Sequence, residues 1–129
     1  MEQSDFCTIK NETKGRPPRL PFVSIKNKIL GKKYDLGISF ISTKKQKDIN
    51  FKYRGINKST NILSFPLSGT SGEILIDLVK AKKEAPLFSM SYTKFIKYLV
   101  IHGMLHLKGF EHSSKMKEQE EKYLKLFYD

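Results

Sequence analysis

The sequence predicts one domain that mixes helices with strands, and three observations carry this. Its 129 residues are the length of a single ordinary domain. Strand-like runs alternate with helix-like ones, with no internal repeat. One apolar periodicity, residues 91–107, reads as a helix buried nearly all round. The apolar fraction of 39% is modest, but nine Phe and six Tyr supply bulk for one core.

The elements follow in order. A short strand is expected near Phe6–Ile9. Gly15-Arg16-Pro17-Pro18-Arg19 is a breaker, and residues 1–20 read as a flexible basic arm. Phe22, Ile25 and Ile29 stand at helical spacing, with Gly31 as the stop. Leu36, Ile38 and Phe40 alternate as in a strand. Ser42 or Thr43 can cap a helix over residues 44–53, which Gly55 ends. Residues 61–65 form a second strand that Pro66 breaks, and residues 73–79 a third. A helical turn over 80–85 precedes Pro86. The helix over 91–107 takes Ser89 or Ser91 as its cap and Gly109 as its end, with Lys97 and Lys108 as its solvent stripe. Residues 113–128 form a last amphipathic helix through Met116, Tyr123, Leu124 and Phe127.

Composition narrows the function. The formal charge is +11. Residues 1–60 hold 14 basic and 5 acidic side chains, and residues 61–129 hold 10 and 8, so the excess sits in the first half. Such a balance favours a polyanion, and a Lys-rich surface that only faces water is the plainer alternative. Cys7 has no second cysteine to pair with, and it reads as a small buried side chain. No apolar run is long enough to span a bilayer, and Met1–Lys10 lacks a secretory apolar segment. The expected address is cytoplasmic, with no membrane partner and no tightly bound small-molecule cofactor.

All three histidines fall in one 11-residue window. His102 and His106, at i and i+4, share one face of a helix one turn apart, as two ligands of one metal require. Gly109 can take positive φ and turn the chain so that His112 comes back to them. The result, His-x3-His-x2-Gly-x2-His, matches the relative places of a known zinc pattern. Three imidazoles favour Zn2+, one per chain, and leave the fourth position open for water. The residue after the first histidine is Gly103, where a metalloprotease keeps its glutamate base, so peptide hydrolysis is disfavoured. The nearest carboxylate in sequence, Glu111, reads as a solvated loop acid.

The window His102-Gly103-Met104-Leu105-His106-Leu107-Lys108-Gly109-Phe110-Glu111-His112 resembles the signature of the YbeY family of bacterial rRNA maturation factors. Tyr53-Arg54-Gly55 and Ser59-Thr60-Asn61-Ile62-Leu63-Ser64-Phe65-Pro66 agree with it, and Gly72-Glu73-Ile74-Leu75-Ile76 agrees more weakly. The likeness spans roughly residues 36–128. The family usually has Asp where this chain has Glu111 and Glu73, and the loop from Pro66 to Gly72 is short.

This resemblance implies a single α+β domain over residues 1–129, in which a small mixed sheet packs against several helices and zinc sits on the buried third-helix region. It implies an endoribonuclease that cuts single-stranded RNA, above all 16S rRNA at its 3′ end, around the small ribosomal subunit in maturation and quality control. The family's functionally important arginine matches Arg54, whose plainer reading is an ion pair at a helix end. Lys52 and Lys58 flank it and can meet neighbouring phosphates. Thr60, Asn61 and Ser64 can bind RNA or satisfy backbone at a strand entry. Two other readings stand beside the nuclease: a non-catalytic, zinc-containing RNA-binding assembly factor, and a hydrolase of another phosphoester.

Overall fold

Four strands join in one sheet in a computed structural model, which describes residues 6–128. They are β1 (Cys7–Asn11), β2 (Asp35–Ile41), β3 (Ile62–Ser68) and β4 (Ser71–Asp77), in the order β1-β2-β4-β3. The β1–β2 and β2–β4 pairs are parallel, and β3 returns antiparallel to β4 through a tight turn. The sheet is therefore mixed. The described residues add α1 (Phe22–Ile29), α2 (Thr43–Arg54), α3 (Leu78–Glu84), α4 (Tyr92–Lys108) and α5 (Ser114–Leu126), with a 3-10 turn over Ala85–Phe88. The architecture is α+β, as the family resemblance implies.

Strand periodicity decides which face the helices cover. Leu36, Ile38 and Phe40 on β2, with Ile74 and Ile76 on β4, are fully buried. They share one core with α1 and α4, whose inward residues include Phe22, Ile25, Phe95, Ile96 and Val100. The opposite face is covered over β4 by α2, where Gln46 Nε2 donates to Leu75 O at 3.0 Å. α5 packs on α4, outside the sheet.

Several expectations are corrected. The third predicted strand ends two residues sooner, at Asp77, because the Asp77 carboxylate accepts from Lys80 N at 3.0 Å and caps α3. Leu78 and Val79 are thus helical, and the predicted turn is a helix of its own. The histidine helix, expected as the third, is the fourth. Pro66 does not break β3: this is an edge strand, where a missing N–H costs no ladder bond, and the irregularity falls between Pro66 and Ser68. Within the expected basic arm, residues 7–11 are built into the sheet as β1, with Cys7 and Ile9 buried, and Leu20 is buried as well. The arm's first five residues lie outside the described ones.

Lys97 is the clearest correction. It is not on a solvent stripe but buried, and its Nζ donates to Phe127 O at 2.7 Å, at the C-terminal end of α5. Lys108 is exposed. A helix wheel sees only its own helix; α5 covers the face that carries Lys97. Among the described residues, no helix is long and apolar enough to cross a membrane.

Candidate metal centre

α4 starts at Ser91, whose side chain accepts from Lys94 N, and ends at Gly109 with φ 111°. The end is a Schellman turn: Gly109 N donates to His106 O and Phe110 N to Leu105 O, each at 3.0 Å. This turn reverses the chain and returns His112 to the helix. One ring nitrogen from each of His102, His106 and His112 then lies within 4.8 Å of the others. Ring centroids are 4.6–5.3 Å apart. His102 and His106 are half-buried and His112 is exposed.

The two helical imidazoles are oriented from behind. His106 Nδ1 lies 3.1 Å from Phe110 O. A carbonyl only accepts, so Nδ1 carries the hydrogen and Nε2 the lone pair. The Schellman turn thus supplies both the route for His112 and the acceptor for His106. His102 Nδ1 is bonded to the carboxylate of Glu120, a buried residue of α5. The Glu120 carboxylate also lies near the Tyr98 hydroxyl, whose pKa is raised by burial first and then by this carboxylate. Burial, followed by the neighbouring His102 and His112, lowers the pKa of His106, so the ring stays in the neutral form that ligates.

The remaining Nε2 atoms of His102 and His106 face each other at 3.1 Å. Two nitrogens bound tetrahedrally to one zinc at ordinary bond lengths stand about 3.3 Å apart. Two lone pairs held at this separation, with a third imidazole beside them, fit one divalent metal. Outer partners that fix ring and tautomer are the usual support of histidine ligands.

Gly103 explains the missing glutamate. A Cβ there would come 2.9 Å from Ile62 Cδ1 and Ser64 Oγ, and 3.0 Å from Ile74 Cδ1. The position faces the sheet, where α4 lies against β3 and β4, and no carboxylate fits. Glu111 is exposed and does not line the cleft.

The histidines open into a cleft of about 470 Å³ whose other wall is Arg54 and residues 60–65. Arg54 is the last residue of α2, which Gly55 ends at φ 71°. The loop that follows is tied down: Asn50 Nδ2 donates to Lys58 O at 2.8 Å, Gln46 Nε2 to Thr60 O at 3.3 Å, and Ser59 Oγ to Asp77 Oδ2 at 2.8 Å. Asn61 Nδ2 donates to Glu84 Oε1 at 2.8 Å, so its amide serves the fold. Arg54 takes part in none of the ion pairs among the described residues. Lys52 and Lys58 are exposed and line no part of this cleft; Lys52 Nζ lies 5.4 Å from the Tyr53 ring centre.

Sequence reasoning missed Glu120 and Tyr98. A signal for Glu120 was available: it stands four residues after Met116 and three before Tyr123, on the apolar face of α5. A carboxylate at a core position needs a partner, and His102 is that partner.

Comparison with known proteins places the chain. The family model described as endoribonuclease YbeY matches residues 20–127. An endoribonuclease YbeY of Buchnera aphidicola is 37% identical over 117 residues, covering 83% of this chain and 74% of the relative. That of Caldanaerobacter subterraneus is 33% identical over 113 residues, covering 70% and 72%. A solution structure of a Thermotoga maritima protein superposes with a TM-score of 0.66 at 26% identity, over 95% of this chain and 89% of the other. With the histidine cluster, the mixed sheet and the sequence match in agreement, the chain belongs to the YbeY family.

Proposed function

We propose that this protein is a zinc-dependent endoribonuclease that cuts single-stranded RNA. Its proposed substrate is 16S rRNA, at the 3′ end, in maturation and quality control of the small ribosomal subunit in the cytoplasm. The observation that carries the reading is the convergence of three imidazoles, two of them oriented from behind, on a cleft that Arg54 shares. The family description and the names of the relatives support RNA as the substrate. The all-imidazole ligand set supports zinc.

A metal held by His102, His106 and His112 would supply Lewis acidity toward a phosphate oxygen and a water of lowered pKa. The chain's own groups do the rest. Glu120 and Phe110 O hold two rings so that their Nε2 atoms need no reorientation. Arg54 offers a planar, permanently charged fork across the cleft, suited to two phosphate oxygens. Lys52 and Lys58, outside the cleft, act on flanking phosphates through charge. A single strand presents its backbone to such a cleft more readily than a paired A-form helix does.

The test is cleavage of a single-stranded 16S rRNA fragment by zinc-loaded protein, with folded His106→Ala and Arg54→Ala variants alongside. The expected result is cleavage by the wild type only, with RNA affinity kept in His106→Ala. Equal cleavage by all three would sink the assignment. One observation favours the assembly-factor alternative: no carboxylate lines the cleft among the described residues, so a general base is lacking there. RNA binding without cleavage, by wild type and variants alike, would select that reading.

A further inference from the structure

A second cleft, of about 520 Å³, lies on the other side of the same histidines. His102 and His112 line both clefts, so the two adjoin at the histidine cluster. Their chemistry differs. The first carries Arg54 and polar strand residues. The second is walled by Phe88, Met90, Tyr98, Met116 and Leu124, with the Glu121 carboxylate at its rim and Lys117 beside it.

Phe88 is the unusual part of this wall. It is half exposed, at 50%, yet built into an aromatic group. Its ring centre lies 4.9 Å from that of Phe95 and 6.3 Å from that of Tyr98, and Phe95 and Tyr98 stack at 6.0 Å and 21°. The next residue, Ser89, is the only non-glycine among the described residues with positive φ, at 55°. Its N–H closes the 3-10 turn on Pro86 O at 3.0 Å. Backbone strain is thus accepted at the residue that follows this ring in the chain.

We infer that the second cleft is a nucleobase subsite, in which an unpaired base next to the scissile phosphate stacks on Phe88 and offers its edge donors to Glu121. The inference rests on the RNA reading above. Polar groups sort the two clefts: phosphate is drawn to Arg54, whereas in the second cleft the Glu121 carboxylate, not engaged by His102 as Glu120 is, can accept from base amino or imino groups. An aromatic face held from behind is what stacking of an unpaired base requires.

The experiment uses zinc-loaded full chain and a short single-stranded RNA carrying 2-aminopurine at successive positions, read by stopped flow before cleavage. Quenching is expected at one position beside the cut bond. Removing the base there should weaken binding by roughly tenfold or more. Phe88→Ala should erase the difference between intact and abasic RNA, and Phe88→Tyr should keep it. Loss of affinity that is equal on both RNAs, or no loss at all, overturns the subsite and leaves the cleft to an apolar protein side chain. If Phe88→Ala does not fold, Glu121→Gln carries the test: a reduced preference for donor-bearing bases supports the subsite, and an unchanged one counts against it. Wild-type protein that binds no single-stranded RNA would remove the RNA reading and the subsite together. RNA bound and cut without dependence on Phe88 or Glu121 removes the subsite alone.

Discussion

Glu120 does two things at once, and both can be measured. It fixes the His102 ring, and the same bond ties α5 to α4. Glu120→Ala leaves His102 free to rotate and to change tautomer. The expected loss of zinc affinity is about 10–100-fold, by competition with a chromophoric chelator. Glu120→Gln still offers an amide oxygen to Nδ1 and should fall between the two; an affinity equal to wild type in both variants would refute the orienting role. Gly103 is limited from the other side. Gly103→Ala must displace Ile62, Ser64 or Ile74, at a cost of about 1–3 kcal/mol in chemical denaturation. Unchanged stability would show that α4 can lift from the sheet at no cost.

At the scale of elements, α5 is what the histidines depend on outside their own helix. It is held to α4 at both ends of the contact, by Glu120 on His102 and by Lys97 Nζ on Phe127 O. Lys97→Met keeps the stem and removes the ammonium. A charged hydrogen bond of this kind contributes about 1–3 kcal/mol, and the last carbonyls of α5 lose their cation. Faster amide exchange in the last turns of α5, with a smaller drop in zinc affinity than in Glu120→Ala, is the expected pair of results. Exchange unchanged along α5 would mean that apolar contacts alone hold it. α2 shows the same logic. Its buried Gln46 and Asn50 bind the loop over 58–60, so polar residues position the Arg54 wall of the cleft.

For the whole molecule, metal and RNA should act as linked ligands. Zinc held by the three histidines of the folded chain would join α4 to the turn behind it, so adding zinc should raise the melting temperature. At a hundredfold excess over its Kd the stabilisation is about 2.7 kcal/mol. Calorimetry with and without chelator checks this, and His106→Ala should abolish the difference. A chelator-insensitive transition in wild type would exclude a bound metal. RNA affinity should fall linearly in log–log form as salt rises, because the formal charge of +11 is concentrated in residues 1–60. A flat salt dependence would show that these lysines do not reach phosphate.

Local chemistry made much of this readable in advance. Helix caps at Ser42 and Ser91, the turn at Gly109 and the i, i+4 histidines are set by neighbours in sequence, and these features appear where spacing predicts them. The three histidines converge because one helical turn and one Schellman turn suffice to bring them together. What local spacing cannot express is which side chains meet across elements. Lys97 was misread because α5, thirty residues downstream, supplies its partner carbonyl. Asp77 stopped a strand because its carboxylate also serves Thr43 and Ser59. Glu120 joined His102, and the Phe88 ring came to border the histidines, only when helices distant in sequence packed. Burial and hydrogen bonding of polar groups are settled by the surface each element is given to pack against, and only the tertiary structure supplies that surface.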